Sequence, residues 1–130
     1  MAFDKQAEIA KIIQKSVLTP LGCQLYDGEK GGLAWTDQYG WKKIKYPQKD
    51  VANVFQKYNL RVHRLMYILC HDLHPRDLTV RDHVSHLCHH KRCTNINHLT
   101  LEDSHTNNCR KSCQANKVCM GHAGHPNCIF

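Results

Sequence analysis

Cysteine and histidine crowd the last third of this chain, and their spacing suits metal chelation. Most of the 8 cysteines and 11 histidines lie after residue 83. Cys88, Cys93 and His98 follow one another at steps of five. Thiolate and imidazole are the ligands that tetrahedral zinc takes, and a structural zinc fills all four places with protein. Three local ligands therefore need a fourth from elsewhere. Cys23 and Cys70 are the only cysteines outside the C-terminal stretch. Cys23 follows Gly22 at the start of the first expected strand and could tie a sheet to the loop. Cys70 falls one residue past an apolar helical stripe and reads as a buried free thiol. A second set comprises Cys113, Cys119, His122, His125 and Cys128, five candidates for four places. Cys119 to His122 and His125 to Cys128 are both ligand-x-x-ligand pairs, so spacing does not choose the histidine. The surrounding QANK and MGHAG are too polar and small for a core. Ligation energy would then supply the order, because binding energy becomes folding energy.

Once these ligands are set aside, His86 and Asn107 remain. His86 lies two residues before Cys88, on the same side of an expected strand, so the zinc scaffold would hold it without using it. After His98 the run LTLEDSHTNN reads as a short strand and then a helix. Thr100 and Asp103 form a T-x-x-D capping pattern there, with Asn107 about two turns in. Strand, metal loop, strand and helix would carry His86 and Asn107 toward one cleft.

The elements that must position this segment are fewer. Residues 4–18 read as a helix capped by Asp4 and ended by Pro20 and Gly22. Residues 22–47 read as strands, including LAWTD and GWKKIKY. In the second run Trp41, Lys43 and Lys45 take one face, and Lys42, Ile44 and Tyr46 the other. A basic, aromatic ribbon of this kind fits a major groove; a solvated edge strand guarded by lysine is the plainer alternative. Residues 51–73 read as helical, with Val62, Leu65, Met66 and Leu69 as a core stripe and His63 and Arg64 off it. No repeat or low-complexity linker is visible. The length suits one α+β domain with a modest core.

The formal net charge of +7 favours a polyanionic partner. Nucleic acid and an acidic membrane surface both fit that charge; double-stranded DNA and no membrane is the expected partnership, and no apolar run is long enough to span a bilayer. The N-terminal MAFDK lacks the apolar stretch of a secretory signal, so an intracellular, nuclear location is expected. In a reducing compartment, cysteine–histidine clusters read as metal sites rather than disulfides. A trimmed, disulfide-bonded secreted domain is the competing reading.

Over Ser85-His86-Leu87-Cys88-His89, Cys93, His98, Asn107 and Cys113 the order and spacing resemble the His-Cys box homing endonucleases, a branch of the ββα-metal (HNH-like) nucleases. A looser likeness reaches Gly22-Cys23 and Val62-His63-Arg64. The resemblance implies a small zinc-stabilised ββα-metal (His-Me finger) fold with an antiparallel DNA-binding sheet and flanking helices. The N-terminal helix would occupy 1–20, the DNA-contacting sheet 22–47, the catalytic core 83–113 and the second zinc loop 113–128. It implies His86 as general base and Asn107 as ligand of one catalytic Mg²⁺ (or Mn²⁺). It implies one structural zinc on Cys23, Cys88, Cys93 and His98, and a second on Cys113, Cys119, Cys128 and one of His122 or His125. The expected activity is site-specific hydrolysis of double-stranded DNA, leaving 5′-phosphate and 3′-hydroxyl ends. Alternatives are a less specific nuclease of the same fold, or an inactive zinc-stabilised binding module. The family's arginine near the scissile phosphate has no counterpart between Cys23 and Leu60; Lys42, Lys43, Lys45 or Arg61 would take that place. A two-fold target would call for a homodimer. With Phe130 only two residues after Cys128, such a dimer is expected to form without the family's exchanged tail.

Overall fold

The computed structural model describes residues 3–26, 41–48, 54–122 and 124–129. Three helices and three two-stranded antiparallel sheets make up the described structure. The first helix, α1, covers Lys5–Gln14, and the Asp4 side chain accepts the Ala7 amide at 3.1 Å as expected. It ends earlier than the sequence suggested. Residues Ser16–Leu18 leave it to form strand β1, which pairs with β2 (Gln24–Tyr26). The intervening turn closes through Gly22 N–H to the Thr19 carbonyl, with Gly22 at φ +91°. That hairpin carries Cys23.

Strand β3 (Trp41–Pro47) pairs in full register with β4 (Phe55–Arg61). The second strand corrects the helical reading of 51–73. Its exposure alternates residue by residue, with Gln56, Tyr58 and Leu60 turned inward. The pattern FQKYNLR has period two, and pairing with β3 fixes it. Only Val62–Cys70 is helical, as α2. The LAWTD segment lies outside the described residues. In β3 the expected alternation holds: Ile44 and Tyr46 are buried, and Lys43 and Lys45 are exposed.

Strands β5 (Asp82–His86) and β6 (Leu99–Asp103) pair antiparallel, with His86 opposite Leu99, and α3 (Ser104–Asn116) follows directly. The cap of α3 is the Asp103 side chain on the Thr106 amide at 2.7 Å. Thr100 lies in β6, so it is no part of the cap. Asn107 consequently sits in the first helical turn, not two turns in.

The core gathers Ile12, Tyr26, Ile44, Tyr46, the inner face of α2, Val84 and Leu99. It is small for its job, and α2 supplies most of it. Cys70, expected to be buried, is exposed at the C-terminal end of α2, because the helix turns its apolar stripe one residue away from it. All eight cysteines are free thiols. Among the described residues no helix is long and apolar enough to cross a membrane.

A buried ion pair ties the core to the C-terminal loop. Arg110 on α3 grips Glu102 on β6 with contacts of 2.8–3.0 Å, and also donates to the Pro126 carbonyl and to Cys128 Sγ. Both side chains are nearly inaccessible. Glu102→Gln would leave the Arg110 charge buried without its counter-ion. It should lower stability by about 3–5 kcal/mol in a denaturant titration. A change under about 1 kcal/mol would show that water or the loop replaces the carboxylate.

Candidate active cleft and metal centres

The donor atoms of Cys23, Cys88, Cys93 and His98 lie within 4.8 Å of one another, and all four residues are buried. Cys23 Sγ and Cys93 Sγ are each 3.6 Å from His98 Nδ1. A tetrahedron with zinc–sulfur bonds of about 2.3 Å and a zinc–nitrogen bond of about 2.1 Å has sulfur–nitrogen edges of about 3.6 Å. The donor set and its spacing therefore fit zinc. The β1–β2 hairpin brings in Cys23, so the fourth ligand is the one the sheet supplies and not Cys70. The hairpin is docked by Thr94 N–H and Oγ to the Gln24 carbonyl, by Asn95 Nδ2 to the Gly22 carbonyl, and by Arg92 Nε to the Tyr26 carbonyl. Proton sharing among the three thiols is uneven. Cys93 is pulled down, first by a hydrogen bond from Cys88 and then by backbone amides. Cys88 is pushed up, first by that same bond and then by burial.

Cys113, Cys119, His122 and Cys128 form the second tetrad, again within 4.8 Å. Cys113 Sγ and Cys128 Sγ stand 3.6 and 3.5 Å from His122 Nε2. This geometry also fits zinc, and it chooses His122 over His125. A turn closed by the His125 amide on the His122 carbonyl, with Gly121 and Gly124 at positive φ, leaves His125 outside the tetrad. Backbone amides of Met120 and Cys128 point at Cys113 and Cys119 sulfur, at 3.4 and 3.2 Å.

His86 and Asn107 line one cleft of about 270 Å³, together with Arg61, His63, Arg64 and His83. Alternation along β5 sends Val84 and His86 toward α2, and His83 and Ser85 toward α3. The contacts agree. The His86 ring packs on the His63 ring of α2, centroid to centroid 4.2 Å. Arg64 donates to the Asp82 carbonyl at 2.7 Å. On the other side the Ser85 hydroxyl donates to Asn107 Oδ1 at 2.7 Å, and Asn107 Nδ2 lies 3.1 Å from His83 Nδ1. Asn107 is thereby set apart from its neighbour Asn108, which is exposed.

Burial pushes the His86 imidazole down to about 3, against the opposing effect of its hydrogen bond with the Cys93 backbone. His63 is also held well below the usual range, first by burial and then by the nearby His86 and Arg61 charges. Both rings are neutral at ordinary pH. The fixed charges of the cleft are mainly Arg61 and Arg64. Asp82 is there too, but its carboxylate is occupied by the Thr79 amide and hydroxyl. A phosphodiester would meet two guanidinium cations against one carboxylate there, beside the two neutral imidazoles.

Arg61 enters from the last residue of β4, opposite Trp41. It shares the exposed face of the ribbon with Lys43, Lys45, Lys57 and Asn59. Lys42 turns to the other face and is half-buried. Sequence reasoning missed Lys57 and Asn59, because it read their segment as a helix. It also missed Ser85 and His83 as partners of Asn107. The i, i+2 spacing of His83 and Ser85 was the available signal.

No curated protein and no solved structure matches the chain. Residues 32–128 match the family model described as the zinc-binding loop region of homing endonuclease. The match contains seven of the eight tetrad ligands, every one but Cys23, as well as His86 and Asn107. By that match over most of its length, and by two tetrads whose edges have the zinc–ligand dimensions, this chain belongs to the homing-endonuclease zinc-binding loop family, a family of nucleases.

Proposed function

We propose that the protein is a Mg²⁺-dependent endonuclease that cuts double-stranded DNA at defined sites. The observation that carries this reading is the meeting of His86 and Asn107 in one cationic cleft at the end of a basic two-stranded ribbon. Lys45 faces Lys57 directly across the ribbon. Like charges in that register destabilise a sheet, and a polyanion in contact with the face relieves them.

His86 acts on a water molecule. Its neutral ring takes a proton as the water oxygen bonds to phosphorus, and the bond from phosphorus to the 3′ oxygen breaks. The departing 3′ oxygen takes a proton from solvent, so the products carry 5′-phosphate and 3′-hydroxyl ends. Arg61 and Arg64 neutralise the phosphate; Arg61 fills the place of the family's arginine, with two donors that a lysine lacks. His63 supports the His86 ring from behind. The Asn107 carboxamide oxygen fits a hard cation, since one lone pair takes the Ser85 proton and the other is left to the cleft. A magnesium ion held there would stabilise the charge that develops on the phosphate and the leaving oxygen.

The test is cleavage of long random-sequence DNA by zinc-loaded protein, with and without added Mg²⁺. Discrete fragments that need Mg²⁺ are expected. A smear would sink site specificity, and uncut DNA with retained binding would sink the enzyme.

A further inference from the structure

We propose that His83 and Ser85 are positioning residues for the Asn107 carboxamide, fixing which of its two ends is offered to a cation. The inference rests on the reading of Asn107 as a cation ligand and extends it to two residues with no role so far.

An amide has a donor end and an acceptor end of nearly equal size. Only the oxygen binds a hard cation. Rotation by half a turn exchanges the two ends at little steric cost, so something must choose between them. The Ser85 hydroxyl is buried, 2.7 Å from Oδ1. A hydroxyl donates or accepts, so Ser85 alone would tolerate either orientation. His83 is the discriminator. Its Nδ1 lies 3.1 Å from Asn107 Nδ2. With the ring proton on Nε2, Nδ1 is an acceptor only and takes the amide N–H. In that tautomer the flipped amide would set an oxygen lone pair against a nitrogen lone pair. With the proton on Nε2 the observed orientation makes two hydrogen bonds and the flipped one makes one. The backbone prepares this arrangement: His83 and Ser85 are two apart on β5, both toward α3, and Asn107 stands in the capped first turn of α3.

The test uses the full chain with both zinc sites loaded, in a His86→Ala background that slows cleavage of the DNA. Mn²⁺ is the probe, and its affinity is read by electron paramagnetic resonance in the presence of a random-sequence duplex. His83→Phe keeps the ring and removes the acceptor; it should weaken Mn²⁺ binding about tenfold, the loss expected on removing a residue that orients a metal ligand. His83→Asn, whose side-chain oxygen reaches the place of Nδ1, should restore most of it. In an Asn107→Asp background the effect of His83→Phe should vanish, because a carboxylate has two equivalent oxygens. With His86 present, His83→Phe should raise the Mg²⁺ concentration for half-maximal cleavage while changing the rate at saturating Mg²⁺ little. If His83→Phe folds poorly, His83→Ala takes its place in the same comparisons. Equal losses whether Asn107 is kept or replaced by Asp would overturn the proposal in favour of a packing role. So would an unchanged Mn²⁺ affinity in His83→Phe while Asn107→Ala loses it. If Asn107→Ala itself binds Mn²⁺ normally, the reading of Asn107 fails, and this inference with it.

Discussion

With His86 replaced by Ala, DNA cleavage should fall by about 10²–10⁴-fold while DNA affinity stays within a few-fold of the original. The size follows from the role. A positioned imidazole that accepts the proton of the attacking water contributes about that factor, and the cleft's other two imidazoles have other partners, His83 against Asn107 and His63 against β5. His63 is the nearest ring, but it is buried and occupied with α2 and β5. The ribbon that would hold DNA lies on other elements, so binding and chemistry separate. A rate assay paired with a gel-shift titration reads both quantities. Cutting at the original rate would remove His86 from the mechanism. A parallel loss of binding would mean that the substitution had damaged the scaffold.

Cys93→Ser should have the largest effect on stability. Cys93 is fully inaccessible and sits where the β1–β2 hairpin bridges to the metal loop. A structural zinc contributes about 10–16 kcal/mol of apparent binding free energy to folding. The whole stability of a domain is about 5–15 kcal/mol. Loss of one thiolate from the first tetrad should therefore unfold most of the chain at room temperature. Circular dichroism should show the loss of structure, and metal analysis should show zinc falling from two ions to one or none. An unchanged melting temperature would take zinc out of the account of this fold.

The metal-binding part of the molecule was legible in the sequence because its signal is chemical and local. Few residue types bind zinc, and the five-residue steps from Cys88 to His98 are hard to produce by chance. Cys23 was legible for a different reason: it was one of two cysteines left over, and it stood beside a turn glycine. Choice between His122 and His125 was not, because both spacings suit a tetrahedron. The folded loop decides it: the donor atoms of Cys113, Cys119, His122 and Cys128 gather within 4.8 Å of one another, and His125 is not among them. The error over 51–73 has a physical origin as well. Two short apolar patterns of different period, the strand FQKYNLR and the helix VHRLMYILC, adjoin without a break, and a single window blurs them into one. The strand becomes plain only beside β3, and that pairing is not local. Arg61 shows the cost. Its place in the cleft follows from being the last residue of a strand whose existence the sequence alone did not reveal. The N-terminal and α3 caps depended on which side chain reaches back. Asp4 was read correctly, whereas the Thr100 pattern was displaced by Asp103.

The two tetrads differ in how far apart their ligands lie along the chain. The second draws on residues 113–128, the first on residues 23–98. Closing the longer loop costs about 1.4 kcal/mol more in chain entropy. It also requires the hairpin, the ribbon and α2 to have found their neighbours first. A newly made or refolding chain would then acquire its two ions in sequence. The C-terminal ion would come first, and the other last, as the event that completes assembly.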